Sequence, residues 1–368
     1  MKKQLIMFFV LLGFLACGKD DELPEQPIDD NEIYFPPATT TVWNTITPES
    51  LNWNASAINE LYDFHSENNS RAFIVLKNGE IVIEKYWGKN ITNTSSFDQN
   101  TNWYWASAGK SLTAFLVGLA QQEGLIGIED KTSDYLGSNW SSLSLEKENL
   151  IKVKHQLTMT SGLDYNVSDL DCTDEDCLQY KDDPGNQWFY HNAPYTLLEK
   201  VVSNAAGVTY NKFTDDRLES KIGMAGTWIA SGDNNVYWST ARAAARFGLL
   251  ILNKGKWEYS QILTNTDYFK AMVNSSQDLN PSYGYLWWLN GKKTITYPGL
   301  STSFNTSLAP NAPEDLFAAM GKNGQFIDIV PSENLVVIRF GESPDGSLVP
   351  VGFHDEMWQK LEAVRNPD

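Results

Sequence analysis

A serine and a lysine three residues apart are the first candidates for chemistry in this sequence. Residues 105–110 read Trp-Ala-Ser-Ala-Gly-Lys, so Ser107 and Lys110 occupy positions i and i+3. These positions share one face of a helix, which lets the lysine nitrogen reach the hydroxyl. A serine hydroxyl is a weak nucleophile until an adjacent base accepts its proton, and lysine can be that base when burial favours its neutral form. The pair predicts nucleophilic catalysis by Ser107 at a helix N-terminus, where the helix dipole favours developing negative charge.

The same spacing occurs a second time, at Ser144 and Lys147. The two matches differ in context. Ser107 follows an aromatic loop and begins a segment, through residue 123, with apolar residues at helical spacing, whereas Ser144 begins a charged stretch that is typical of a solvated surface. We therefore expect Ser107 to be the nucleophile and interpret Ser144 as a chance match.

A tyrosine and an asparagine supply the next candidates. Residues 189–192 read Phe-Tyr-His-Asn and contain the only Tyr-x-Asn of the chain. The phenol of Tyr190 could pass a proton between nucleophile and leaving group, and the amide of Asn192 could hold both Lys110 and a substrate carbonyl. On spacing alone, the pattern favours a packed tyrosine and a helix-capping asparagine.

The surrounding pattern predicts an α+β fold, an antiparallel sheet flanked by helices in an α/β sandwich. Two β-type runs within residues 71–88 are joined by Asn78-Gly79, which favours a type I′ hairpin. Three further β-rich segments and an amphipathic stretch end the chain, at residues 316–320, 325–330, 335–340 and 354–364. The middle lacks strand alternation, which predicts a mostly helical subdomain inserted at about residues 131–235.

The order of these motifs resembles the serine β-lactamase and penicillin-binding-protein superfamily, in its class C-like form. Ser-x-x-Lys is followed some eighty residues later by Tyr-x-Asn and then by a glycine-bearing strand near the C-terminus. The similarity covers roughly residues 60–365 and includes shorter runs at 155–163, 244–250 and 283–288. It implies a β-lactamase/transpeptidase-like fold.

The third motif departs from the usual pattern. Where the superfamily usually has Lys-Thr-Gly or His-x-Gly, residues 319–321 read Ala-Met-Gly, followed by Lys322. This form is similar to that of the 6-aminohexanoate-dimer hydrolases and related esterases. The resemblance implies hydrolysis of a small amide or ester through an acyl-enzyme, with no metal or organic cofactor. It also implies that Asn192 contacts substrate and that the backbone N–H groups of Ser107 and Lys322, beside Gly321, form the oxyanion hole. A D,D-peptidase or a weak β-lactamase is the alternative.

Two other classes of protein remain open at this point. An α/β-hydrolase would have Gly-x-Ser-x-Gly and a late histidine, and the chain offers His354 but lacks the first glycine before Ser107. A non-catalytic surface module could keep the same fold to bind peptidoglycan stems or another protein.

The N-terminus predicts export. Residues 1–17 comprise a basic start, an apolar run and Leu-Ala-Cys, which resembles a lipobox and implies lipidation of Cys17. The following acidic residues resemble the export tag of Bacteroidetes surface lipoproteins. We therefore expect a lipoprotein on the outer membrane or cell surface of a Gram-negative bacterium, with the lipid anchor as its only membrane contact. Residues 18–48 predict a flexible tether, and residues 49–368 the hydrolase domain.

Composition restricts the remaining partners. A net charge of −18 argues against a nucleic-acid partner, and the four histidines show no metal-ligand spacing. Cys172 and Cys177 could form a disulfide in an oxidising compartment or remain free thiols. Six aromatic residues near the motifs are candidates for the lining of an apolar pocket: Trp103, Tyr104, Trp105, Trp188, Trp287 and Trp288.

Overall fold

The computed structural model describes residues 33–366. The strands are β1 (Ser70–Lys77), β2 (Glu80–Tyr86), β3 (Trp103–Tyr104), β4 (Gly226–Ser231), β5 (Asn234–Ser239), β6 (Lys256–Trp257), β7 (Ser260–Gln261), β8 (Trp288–Leu289), β9 (Ile295–Thr296), β10 (Ser303–Phe304), β11 (Phe317–Gly321), β12 (Gln325–Val330) and β13 (Leu335–Gly341). The α-helices are α1 (Ile58–Glu67), α2 (Gly109–Gln122), α3 (Ser133–Leu136), α4 (Leu145–Glu148), α5 (Val153–Leu157), α6 (Asn192–Ala206), α7 (Tyr210–Thr214), α8 (Ser220–Ile222), α9 (Ala241–Leu252), α10 (Thr266–Met272) and α11 (Val351–Arg365). Short 3-10 turns lie at Pro48–Leu51, Ala55–Ala57, Ala106–Ala108, Glu175–Cys177 and Pro331–Glu333, and a π-helical turn lies at Asp215–Glu219.

A six-stranded sheet in the order β2-β1-β13-β12-β11-β8 forms the centre of the fold. Its neighbouring strands are all antiparallel, which confirms the predicted antiparallel sheet. β1 and β2 form the predicted hairpin, and Asn78 and Gly79 at its turn have φ values of 50° and 85°. A type I′ turn needs positive φ at both positions, which explains the Asn-Gly dipeptide.

Helices cover both faces of this sheet. Successive side chains of a strand point to opposite faces, and β12 shows the consequence. Ile327 and Ile329 face α9, where Gly248 allows the helix to approach closely, while Asp328 points to the other face and bonds to His354 of α11. The fold is therefore mixed α and β, and its central sheet pairs strands from the N-terminal part of the chain with strands from the C-terminal part.

The middle of the chain contains the six short or medium helices α3 to α8 and also a β-hairpin that the sequence pattern did not indicate. β4 and β5 pair with each other, and β5 also pairs with β3 just before the Ser107 turn. In β4 only Trp228 is buried. Because most of the strand faces solvent, its sequence carries no regular alternation of apolar and polar residues.

The prediction of a flexible tether through residue 48 is wrong for residues 33–48. Trp43 is 7% exposed and donates its indole N–H to Gly79 O, and the buried guanidinium of Arg246 donates to the carbonyls of Pro36, Pro37 and Thr40. The segment also runs alongside β2, where Ile81 exchanges backbone hydrogen bonds with Asn44 and Ile46. The acidic and proline-rich composition of the segment predicted a tether, because these few anchoring contacts leave no pattern in the sequence.

The predicted signal segment and Cys17 lie outside the described residues. Within residues 33–366, no helix is both long enough and apolar enough to cross a bilayer.

Candidate active site

The candidate nucleophile lies in a tight turn between a strand and a buried helix. Ser107 is in the 3-10 turn Ala106–Ala108, after β3 and directly before α2. Trp105 anchors the turn, because its backbone N–H donates to Tyr237 O at 2.8 Å and its indole N–H to Ser239 Oγ at 2.8 Å. Ala106 has a φ of 48°, a left-handed conformation that is unfavourable for a residue with a side chain. Such a turn presents the serine at a fixed angle to the helix.

Lys110 lies one helical turn further on and contacts the serine. Its Nζ donates a hydrogen bond to Ser107 Oγ at 3.0 Å and lies 4.2 Å from the ring centre of Tyr195. Lys110 is only 3% exposed. Burial lowers the pKa of Lys110 to about 7, and the carboxylate of Asp171 partly opposes that effect. A lysine with a pKa near neutrality can accept a proton at physiological pH, as a general base must.

Tyr190 lies beside the same pair. Its ring centre is 5.1 Å from Lys110 Nζ, and the side chain is buried against Trp288 and Tyr283. Burial raises the pKa of Tyr190, whereas its hydrogen bond with Ser107 acts in the opposite direction. The phenol therefore keeps its proton near neutral pH. The structure thus brings together Ser107, Lys110 and Tyr190, which are 83 residues apart at most in the chain.

Asn192 begins α6 and faces an acidic residue that the motif analysis missed. Its Nδ2 donates to Asp171 Oδ1 at 2.6 Å, while its Oδ1 is buried without a hydrogen-bond partner. Asn192 therefore bonds to Asp171 and not to Lys110 in this structure. Asp171 precedes Cys172, which forms a disulfide with Cys177 across Cα atoms 5.9 Å apart. The acidic composition of residues 169–176 was the only signal for this residue in the sequence.

The third motif runs directly beside the nucleophile turn. A Cβ on Gly321 would lie 2.4 Å from Trp105 O, 2.9 Å from Ala108 N and 3.1 Å from Ser107 N. Only glycine fits there, because real Cβ atoms do not approach backbone atoms so closely. Lys322 follows with an exposed side chain. The end of β11 and the backbone of Ser107 therefore line one site.

The second Ser-x-x-Lys has a different structure. Ser144 is the N-cap of α4 and accepts a hydrogen bond from the backbone N–H of Lys147 at 3.4 Å. The Lys147 ammonium pairs with Asp183 at 2.6 Å on the surface. This match is a helix cap and an exposed ion pair, as its charged context predicted.

The aromatic candidates divide into two groups. Trp103, Trp105 and Trp287 are fully buried in the core. Trp188 and Trp288 pack around Tyr190 and Tyr283, and Tyr104 is half-buried with its hydroxyl accepting a hydrogen bond from Asn323 Nδ2 at 2.8 Å. Packing, more than contact with an open pocket, explains most of this set.

The α/β-hydrolase alternative is wrong. That fold is built on a mostly parallel sheet, whereas the central sheet here is antiparallel. His354 is fully buried between α11 and β12, with Nε2 2.7 Å from Asp328 Oδ2. It belongs to the core and not to the site of Ser107.

The fold and the Ser107–Lys110 pair define the class of protein, a member of the serine β-lactamase and penicillin-binding-protein superfamily. The chain matches the β-lactamase family over residues 67–345 and belongs to that family. It is 27% identical over 334 residues to an uncharacterised protein of Alkalihalophilus pseudofirmus, covering 81% of this chain and 91% of the relative. It is also 25% identical to "penicillin-binding protein 4*" of Bacillus subtilis, over 42% of this chain and 37% of that protein. The match to the "putative penicillin-binding protein PbpX" of the same organism is likewise 25% identical, over 41% of this chain and 39% of that protein.

Solved structures share the fold at low sequence identity. The "putative 6-aminohexanoate-dimer hydrolase" of Bacillus anthracis superposes with a TM-score of 0.66 at 17% identity, covering 90% of each chain. EstCE1, a hydrolase with promiscuous acyltransferase activity, gives a TM-score of 0.62 at 13% identity and covers 87% of this chain and 99% of its own. These similarities establish the fold, and the family is one of hydrolytic serine enzymes.

Proposed function

We propose that this protein hydrolyses amide or ester bonds of small substrates through an acyl-enzyme at Ser107. The observation that carries the proposal is the hydrogen bond of 3.0 Å from Lys110 Nζ to Ser107 Oγ, made by a buried lysine whose pKa burial lowers to about 7. A serine activated by an adjacent neutral base is the arrangement that nucleophilic catalysis requires.

The proposed reaction has two steps. Ser107 Oγ attacks the substrate carbonyl as Lys110 accepts its proton. When the bond to the leaving group breaks, Tyr190 gives its phenol proton to that group and takes up the proton held by Lys110. The tetrahedral oxyanion accepts hydrogen bonds from the backbone N–H groups of Ser107 and Lys322, which the close approach of Gly321 to Ser107 supports. Water then attacks the ester carbonyl of the acyl-enzyme and gives one proton to Lys110. The bond between the carbonyl carbon and Ser107 Oγ breaks, Ser107 takes up that proton from Lys110, and the acid product leaves with the oxygen of the water. Asn192, with an unpartnered buried oxygen, is the proposed contact for a substrate N–H.

The third motif directs the choice of substrate. Ala319, the first residue of the motif, is fully buried and carries no charge or imidazole, so a basic group for the carboxylate of a β-lactam is missing from that position. The fold likeness to the Bacillus anthracis protein and to EstCE1 is compatible with amide or ester substrates. We propose small linear amides and short-chain esters ahead of β-lactams, at the cell surface if Cys17 carries the predicted lipid.

The test uses two serine variants of a protein comprising residues 33–368, because residues 33–48 pack on the body. Ser107→Ala and the matched control Ser144→Ala are compared with the unchanged protein on p-nitrophenyl acetate, p-nitrophenyl butyrate, a 6-aminohexanoate dimer and nitrocefin. We expect turnover of esters or amide that Ser107→Ala abolishes and Ser144→Ala retains. Nitrocefin turnover at a comparable kcat/KM would favour the β-lactamase alternative. Absence of turnover together with absence of labelling by a fluorophosphonate would favour a non-catalytic binding module.

A further inference from the structure

A buried arginine holds the turn that follows the third motif. Arg339 lies in the middle of β13 and is fully buried. Its Nη1 donates to the carbonyls of Asn323 at 2.5 Å and Gly324 at 2.9 Å. Its Nη2 donates to the carbonyls of Asn68 and Glu342, and its Nε donates to Ser70 Oγ. All five N–H donors of the guanidinium are therefore used.

The turn that Arg339 holds has an unusual backbone. Residues 322–324 connect β11 to β12, and Asn323 and Gly324 both have positive φ, 66° and 76°. A side chain on Gly324 would meet Arg339 Nη1 at 2.7 Å, so the guanidinium lies directly against this peptide. The two bonds from Arg339 therefore add to the preference of Asn-Gly for positive φ in holding the turn in place.

The opposite side of the same turn is attached to the segment that carries the nucleophile. Asn323 Nδ2 donates to the hydroxyl of Tyr104 at 2.8 Å, and Tyr104 lies three residues before Ser107. Gln325 Nε2 adds a bond to Lys322 O at 3.1 Å. The turn at residues 322–324 is thus held between β13 on one side and the nucleophile segment on the other. The backbone N–H of Gly324 donates to Gly321 O at 3.1 Å, which connects this turn to the peptide between Gly321 and Lys322.

We infer that Arg339 is a positioning residue for catalysis, which fixes the Lys322 backbone N–H as an oxyanion donor. This inference rests on the proposed function. An oxyanion donor is effective only when it is fixed before the charge develops, and displacement by about 1 Å can cost about a hundredfold in rate. Lysine could not replace arginine here, because a single ammonium cannot reach two neighbouring carbonyls, two further carbonyls and a hydroxyl in one plane.

The test compares Arg339→Lys with a matched control, Arg246→Lys. Arg246 is also buried and also donates to several backbone carbonyls, but these belong to residues 36–40 and to Ile222, away from the third motif. Three quantities are measured on p-nitrophenyl butyrate: kcat per active site titrated with a p-nitrophenyl phosphonate, KM, and the Ki of butylboronic acid. The boronate adduct of a serine is tetrahedral and places an oxygen in the oxyanion hole.

We expect Arg339→Lys to lower kcat by about ten- to a hundredfold and to raise the boronate Ki by a similar factor, with KM changed less than about threefold. Arg246→Lys should leave all three within about twofold even if it lowers the melting temperature. A merely structural arginine would reduce the titrated fraction of active sites but would not change the boronate Ki.

A second variant covers the case in which Arg339→Lys does not fold. Tyr104→Phe removes the other anchor of Asn323 at a half-buried position, and we expect a several-fold loss of kcat with a matching rise in the boronate Ki. Unchanged kcat and Ki in the folded variants, with an active unchanged protein, would overturn the role of Arg339 alone. An unchanged protein that neither turns over esters nor binds the boronate would overturn the proposed function and this inference together.

Discussion

The lowered pKa of Lys110 has a cost in stability that can be measured. Burial lowers this pKa from 10.5 to about 7. Each tenfold change in proton affinity corresponds to about 1.4 kcal/mol, so the folded protein disfavours the protonated lysine by about 5 kcal/mol. Replacing Lys110 with methionine, which is similar in length and uncharged, should therefore abolish activity and at the same time stabilise the fold.

The pH dependence separates this effect from changes in packing. Between pH 7 and pH 10.5 the unfolded chain binds a proton at Lys110 that the folded protein does not. The free energy of unfolding therefore rises with pH over this range, and the full cost of burying Lys110 applies below pH 7. The penalty is about 5 kcal/mol at pH 6 and about 2 kcal/mol at pH 9. The gain from Lys110→Met should accordingly be about 3 kcal/mol larger at pH 6 than at pH 9.

Urea unfolding followed by tryptophan fluorescence at the two pH values measures this difference. Glu219, whose pKa burial raises to about 7, titrates in both proteins and cancels. The control is Lys147→Met, in the second Ser-x-x-Lys, where pairing with Asp183 raises the lysine pKa and no dependence on pH between 6 and 9 is expected. A gain from Lys110→Met that is equal at pH 6 and pH 9 would refute the assignment of a neutral buried lysine.

Three further predictions concern the same site. Esterase kcat/KM should fall about tenfold per pH unit below about pH 7, where Lys110 becomes protonated. Asp171→Asn should shift this fall in kcat/KM to lower pH, because the carboxylate raises the pKa of Lys110. A pH profile that is the same in both proteins would exclude an effect of Asp171 on Lys110. Gly321→Ala should lower kcat by about a hundredfold in a p-nitrophenyl ester assay, since the added Cβ would lie 2.4 Å from Trp105 O. A near-normal kcat would show that β11 and the turn of Ser107 can move apart without loss of activity. The double variant Cys172→Ser, Cys177→Ser should lose about 2 kcal/mol of unfolding free energy, which is the amount that a disulfide closing a six-residue loop contributes. Chemical denaturation of the variant, of the unchanged protein and of the reduced unchanged protein measures this loss.

The parts of the fold with strong periodicity could be predicted from the sequence. The hairpin at Asn78-Gly79, helix α2 and the three C-terminal strands all combine regular apolar spacing with clear turn residues. The hairpin β4–β5 could not be predicted, because its strands are mostly exposed. The packing of residues 33–48 could not be predicted either, since it depends on Arg246, a residue some two hundred positions away.

The site shows the same division between local and distant information. Ser107 and Lys110 are one helical turn apart, so their contact follows from local geometry. The left-handed conformation of Ala106 left no signal, because alanine is not a residue that favours positive φ. Asp171 and Arg339 reach the site from distant segments through contacts of single side chains, and no spacing rule connects them to Ser107. The resemblance to a known superfamily supplied Tyr190 and Gly321, which spacing alone would have left open.

The segment at residues 44–46 has a consequence for handling this protein. β2 is the last strand of the six-stranded sheet, and the exchange of hydrogen bonds between Ile81 and the backbone of Asn44 and Ile46 covers part of its outer edge. Uncovered strand edges pair readily with other chains. A protein truncated at residue 49 would expose that edge and also leave the buried guanidinium of Arg246 without three of its carbonyl partners. We expect such a truncated protein to self-associate, so a failed activity assay on it would say nothing about Ser107.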